Sequence, residues 1–155
     1  MVEIGFKFEK LKIWQSSLDF VDVIYDLANE LPANEAFNLN SQMRRAVTSI
    51  NLNIAEGSTG QTDDEQARFL GLALRSTLEV VACLHIVKRR RLIANLNALR
   101  KPYEDAYHLV NGIAALRKTI APNQKWLREE IIEYGIDSGF LHDLNDPSSV
   151  SSSSV

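Results

Sequence analysis

Apolar residues recur at intervals of three and four through four successive stretches of this chain. Each stretch ends at a proline, a glycine-rich turn or a basic cluster. That spacing gathers apolar side chains on one face of an α-helix, whereas a half-buried strand alternates at every second residue. Residues 9–31 align Leu11, Trp14, Leu18, Val21, Tyr25 and Ala28, with Ile13, Phe20, Ile24, Leu27 and Leu31 as a second stripe. Two stripes predict burial on more than one side. Pro32 ends this helix because its ring restricts the residue before it and it carries no N–H.

A second helix is predicted from about Leu39 to Glu56, with Asn40 as N-cap. Its apolar face is Leu39, Met43, Ala46 or Val47, Ile50 and Ile54, and Gly57 and Gly60 suit a left-handed turn beyond its end. The third opens at "TDDE", where Thr62 and Glu65 have capping-box spacing, and runs through Phe69, Ala73, Ser76, Val80, Leu84 and Val87 to "KRRR". The fourth carries Leu92, Leu96, Leu99, Tyr103, Ala106, Val110 and Ile113. Pro102 favours a short turn followed by a helix that starts near it. With no strand alternation and no repeat, this pattern predicts an all-α, antiparallel up-and-down four-helix bundle over residues 1–121. The extension, residues 122–155, is predicted to hold a short amphipathic helix in "QKWLREEIIEY" and a disordered tail in "DPSSVSSSSV".

The 155 residues suffice for one domain with a sizeable core. No apolar run reads as long enough to span a bilayer, no signal peptide is evident at the start, and the single Cys83 has no intrachain partner. Together these predict a cytoplasmic protein with no membrane contact. The net charge of −3 is uneven. Residues 1–37 carry three Lys/Arg and seven Asp/Glu, residues 38–120 twelve and seven, and residues 121–155 two and six. A basic middle between acidic ends can meet a polyanion, although charge runs are more often solvated faces.

The second helix carries its charges backwards. Arg44 and Arg45 open it and Glu56 lies in its last turn, the reverse of what a helix dipole favours. Arg45, Ser49, Asn53 and Glu56 recur at four, four and three and so share a face. A polar network that crosses the bundle or a subunit interface would explain the pattern, with Glu79, and Ser76 beside it, on the third helix as partners. The competing reading makes Arg45 and Glu79 a ligand or catalytic site; the structural reading is favoured.

Several stretches resemble the bacterial four-helix bundle proteins of the 23S ribosomal-RNA intervening-sequence family. They are "LKIWQSSLDFVDVIYDLANELPANEAFNLNSQMRRAVTSINLNIAEG" and "FLGLALRSTLEV". The matching hallmarks are Trp14, Pro32, Glu35, Gln42, Arg44, Arg45, Ala46, Asn53, Ile54, Ala55, Glu56, Gly57, Ser76 and Glu79. The resemblance spans about residues 8–120 and implies a bundle that assembles into a ring-like homopentamer. It implies no established enzymatic activity. A related accessory protein of diversity-generating retroelements works with a reverse transcriptase and template RNA through a basic surface. This chain departs from the family pattern at Gln61, usually Arg, at Arg75, usually Gly, and at Arg91, often Gly. Arg75 puts a bulky cation where small residues let helices approach.

The basic run Lys88, Arg89, Arg90 and Arg91, with Arg100 and Lys101, is the candidate nucleic-acid interface, and Arg117 and Lys118 are expected near it. Such clusters bind phosphate backbones without sequence preference. The same run is also what a helix C-terminus carries to oppose its dipole, so the residues alone leave both readings open. Glu104, Asp105 and His108 make at most half of a di-iron site, His85 and His142 read as surface residues, and Cys83 reads as a small core residue. No metal, cofactor or small-molecule substrate is expected. The expected function is a non-enzymatic homo-oligomeric scaffold or binding module that engages RNA or a ribonucleoprotein. The alternative is a purely protein-binding assembly that uses the acidic tail or the apolar face near Trp126.

Overall fold

The computed structural model describes residues 1–60, 62–124 and 139–144. Gln61, most of the predicted helix after Pro122 and the Ser-rich tail lie outside them. Four long helices carry the fold: α1 (Lys12–Glu30), α2 (Leu39–Ser58), α3 (Asp63–Arg90) and α4 (Arg100–Ile120), with a short α5 (Gly139–Asp143). Single turns of 3-10 helix precede α1 at Lys7–Lys10, α2 at Ala33–Glu35 and α4 at Leu96–Leu99. No strand occurs among the described residues.

The ends form as local chemistry dictates, with two exceptions. Thr62 Oγ1 accepts the Glu65 N–H at 3.1 Å, the predicted cap of α3. Pro102 stands in the first turn of α4, where a missing N–H costs nothing. Asn40, however, is no cap. It lies inside α2, where its Nδ2 donates to the Ala28 carbonyl at 2.7 Å, and Asn38 precedes the helix. Nor do Gly57 and Gly60 form a left-handed turn, since no described glycine has positive φ. Gly57 is helical and buried; a Cβ there would stand 2.9 Å from Phe69 Cβ, so α2 and α3 meet only because the side chain is missing. The left-handed residue is Arg91 instead, with φ 51° and ψ 48°. Its N–H and that of Leu92 bond back to Lys88 and Val87 carbonyls at 3.2 and 3.1 Å and close α3.

Asn51, late in α2, donates to Ser17 Oγ, early in α1, at 2.9 Å, while Asn40, early in α2, reaches the end of α1. Arg117, late in α4, donates to the carbonyl of Ala67, early in α3, at 3.0 Å. Between these contacts lies one core containing Phe20, Ile24, Met43, Ile50, Ile54, Leu70, Leu84, Leu99 and Ile113. Each such side chain contributes about 1.5–3 kcal/mol by leaving water. On α1 the second stripe (Phe20, Ile24, Leu27, Leu31, with Ile13 half-buried) supplies this core, and of the Trp14 stripe only Ala28 is fully buried, Leu11, Trp14, Val21 and Tyr25 being half-buried and Leu18 exposed. α3 is long and apolar enough to cross a bilayer, against the expectation from the sequence. Half of that apolar window is buried against its neighbours and Arg75 and Glu79 interrupt it, as in a helix at the centre of a bundle.

Candidate nucleic-acid interface

The reversed charges of α2 resolve differently from the predicted network. Arg44 is held by neutral partners: Nε donates to Asn40 Oδ1 at 2.7 Å, Nη2 to Asn29 Oδ1 at 2.6 Å, and the guanidinium lies 4.5 Å from the Tyr25 ring centre. Arg45 is exposed and, among the described residues, bonds only Ser41 Oγ, at 3.2 Å. Ser49, Asn53 and Ser76 do join: Ser76 Oγ donates to Ser49 Oγ at 3.0 Å and Asn53 Nδ2 donates to the same oxygen at 3.0 Å, tying α2 to α3. Glu56 and Glu79 are exposed and form no ion pair among the described residues. Within one subunit the Arg45–Glu79 pair is therefore absent, because both side chains project outward. Arg45, Ser49, Asn53 and Glu56 line an open groove of about 410 Å³ with Leu52 and Tyr25. Arg75 is also exposed and wedges no helix apart.

The six basic candidates converge on one end of the α3–α4 pair, but they are not equivalent. Arg89 and Arg90 are exposed and make no ion pair or hydrogen bond among the described residues. Arg91 is exposed and backbone-constrained. Lys101 is neutralised by Asp105 at 2.9 Å. That hydrogen bond, with the charges of Asp105 and, more weakly, Asp19, raises its pKa. Arg117 and Lys118 lie at the opposite end, because α4 carries them back to the start of α3. Arg117 is buried there, and a Cβ on Gly71 would stand 2.5 Å from its Nη2.

Lys88 and Arg100 are engaged by α5. Lys88 Nζ donates to the Phe140 carbonyl at 3.0 Å and pairs with Asp143 at 3.2 Å, and it sits 4.7 Å from the Phe140 ring centre. Arg100 Nη2 donates to the Leu141 carbonyl at 3.4 Å and meets Glu104 at 3.7 Å. Phe140 is 3% exposed. Its ring stacks on Tyr103 at 4.2 Å and 11°, and meets His85 edge-on at 4.7 Å. Desolvation, then the charge of Lys88, lowers the His85 pKa, so the ring is neutral at pH 7. Sequence reasoning placed His85 at the surface, where it is exposed, but did not single out Phe140, the ring it meets. The signal was the spacing Phe140, Leu141, Leu144, one apolar turn in an acidic extension.

Cys83 offers no nucleophile. Burial, and secondarily the nearby Glu79 carboxylate, push its thiol up to about 11. No cluster of three His, Cys, Asp or Glu side chains suited to a metal occurs among the described residues.

Four packed helices with a basic end define a class of small all-α helical proteins. A sequence model of the 23S rRNA-intervening sequence protein family matches residues 9–119, and the chain belongs to that family. A solved structure of a protein of unknown function from the S23 ribosomal protein family of Bacteroides thetaiotaomicron is 25% identical, with a TM-score of 0.63. The alignment covers 68% of this chain and 98% of that one. No curated protein matches the chain. The α5 contact lies outside the matched residues.

Proposed function

We propose that this chain is a non-enzymatic, cytoplasmic binding module that folds as an antiparallel up-and-down bundle, assembles as a homo-oligomer and engages RNA through the α3–α4 end. The observation that carries the RNA reading is the pair Arg89 and Arg90, adjacent, exposed and without internal acceptors among the described residues. Guanidinium forks match phosphate oxygens, and a ring of subunits multiplies them. The family's description supports a ribosomal-RNA context. Self-assembly, as a ring-like homopentamer in the family's manner, draws support from Leu52, Leu78 and Ile86, which stay 53%, 37% and 47% exposed on α2 and α3.

Fluorescence anisotropy of a labelled structured RNA tests the reading, at low and at physiological salt, beside an Arg89→Glu/Arg90→Glu variant. Binding should weaken steeply with salt, and the salt slope should fall by roughly one for each lost phosphate contact. Light scattering on the same samples reads the assembly. The second reading, a purely protein-binding scaffold, is favoured by the internal neutralisation of Lys88, Arg100 and Lys101. Flat titrations at both salts with an intact oligomer would select it.

A further inference from the structure

We infer that the cleft under α5 is a site for one unpaired nucleotide of single-stranded RNA, and that the chain's own Phe140 occupies it as an internal competitor. The inference rests on the RNA reading and names a second site within the same surface.

Phe140 lies on Tyr103 with parallel rings 4.2 Å apart, the arrangement a nucleobase takes on an aromatic platform. His85 stands beside the stacked pair, its ring 4.7 Å from Phe140 and 6.2 Å from Tyr103, and the Lys88 ammonium lies over the Phe140 ring at 4.7 Å. Beside this stacked ring stands an anion, the Asp143 carboxylate, 3.2 Å from Lys88 Nζ. A flat ring next to an anion on a lysine is also the outline of a base with its phosphate. Arg100, 3.4 Å from the Leu141 carbonyl, supplies a second cation at the rim, and Arg89 follows Lys88 directly in α3. Vacated, the cleft therefore offers a stacking face, an aromatic edge and two cations, continuous with the exposed arginines.

The occupant is built to leave. α5 has five residues, too few to hold a helix without its dock. It docks through the Phe140 ring, the partly buried Leu141 and Leu144 and a few polar bonds, all from residues that follow the family-matched region, so it opens without unfolding the bundle. Apparent affinity for a nucleotide is reduced by the fraction of time α5 is docked, and undocking removes that penalty.

The test uses the full chain and a short labelled oligouridylate, which has no secondary structure. Phe140→Ser should tighten oligouridylate binding about ten-fold over wild type with little change in melting of the bundle. Adding Tyr103→Leu should abolish the gain; if that variant melts too low, Lys88→Gln in the Phe140→Ser background should abolish it instead. Phe140→Ser binding no tighter than wild type overturns the inference, as does a gain that survives both second substitutions. Structured-RNA binding that still depends on Arg89 and Arg90 would then leave the basic-surface reading standing. Loss of all RNA binding, structured and single-stranded, removes both.

Discussion

The two ends of the α3–α4 pair put the same residue types to opposite uses. At one end Arg117 is 4% exposed, with Nε on the Ala67 carbonyl at 3.0 Å and its guanidinium above Gly71. At the other, about 25 Å along α4 by helical rise, Arg89 and Arg90 face solvent while Lys88 and Arg100 are held by α5. A buried guanidinium must be bonded, or its desolvation outweighs its packing, so the first end is fixed. An exposed one loses little by releasing a neighbour, so the second end can trade partners. Stability and binding are thereby separated along one helix pair.

Arg117→Ala should strike hardest, costing about 3 kcal/mol in chemical denaturation, because it deletes a buried, packed side chain that ties the end of α4 to the start of α3. RNA affinity per folded molecule should not change; a matching loss of affinity would break the separation of the two ends. Phe140→Ser should leave unfolding of the bundle nearly unchanged and instead favour local opening by about 1–2 kcal/mol, read as increased hydrogen exchange confined to the α5 dock and none in the Arg117 end. Arg91→Gly should act in the opposite direction. Arg91 holds φ 51°, a conformation costing a non-glycine residue about 1 kcal/mol, so the substitution should raise the melting temperature by a few degrees. A lower melting point would mean that the Arg91 side chain contributes more than its backbone costs.

The smallest effect concerns pH. His85 has its pKa lowered below the ordinary 6.5, so the native state binds fewer protons there than the unfolded chain does. Its contribution to stability is complete above about pH 6.5 and declines as pH falls through that value. The groups around it are Lys88 on its own helix, Tyr103 from α4 and the Phe140 ring. Acidification to pH 5.5 should therefore shift the NMR signals of Phe140 and Tyr103 before those of Ile113 or Leu70. Simultaneous shifts would show that the dock and the core open together.

Much of the bundle was legible from spacing alone. A 3.6-residue period, the Thr62 cap and Pro102 report backbone preferences that act within one turn, and these placed α3 and the start of α4 within a residue or two. The Asn40 and Gly57 readings failed for the same reason as each other. Both residues are chosen by a neighbouring helix: Asn40 by the Ala28 carbonyl, Gly57 by Phe69. The basic run was visible as a run, but its sorting into exposed, paired and docked cations was not. Nor was the outward placing of Arg45 and Glu79.

By itself the sequence determined that this protein is helical, which stretches form its four long helices, and that its basic residues are concentrated in the middle between acidic ends. Those properties depend on residues within four positions of one another. Only the tertiary structure decided that Arg117 is buried, that Arg91 takes the left-handed turn without a glycine, and that Phe140 reaches Tyr103 and Lys88. Such contacts join residues tens of positions apart, and their free energy comes from desolvation that exists only once the helices have packed.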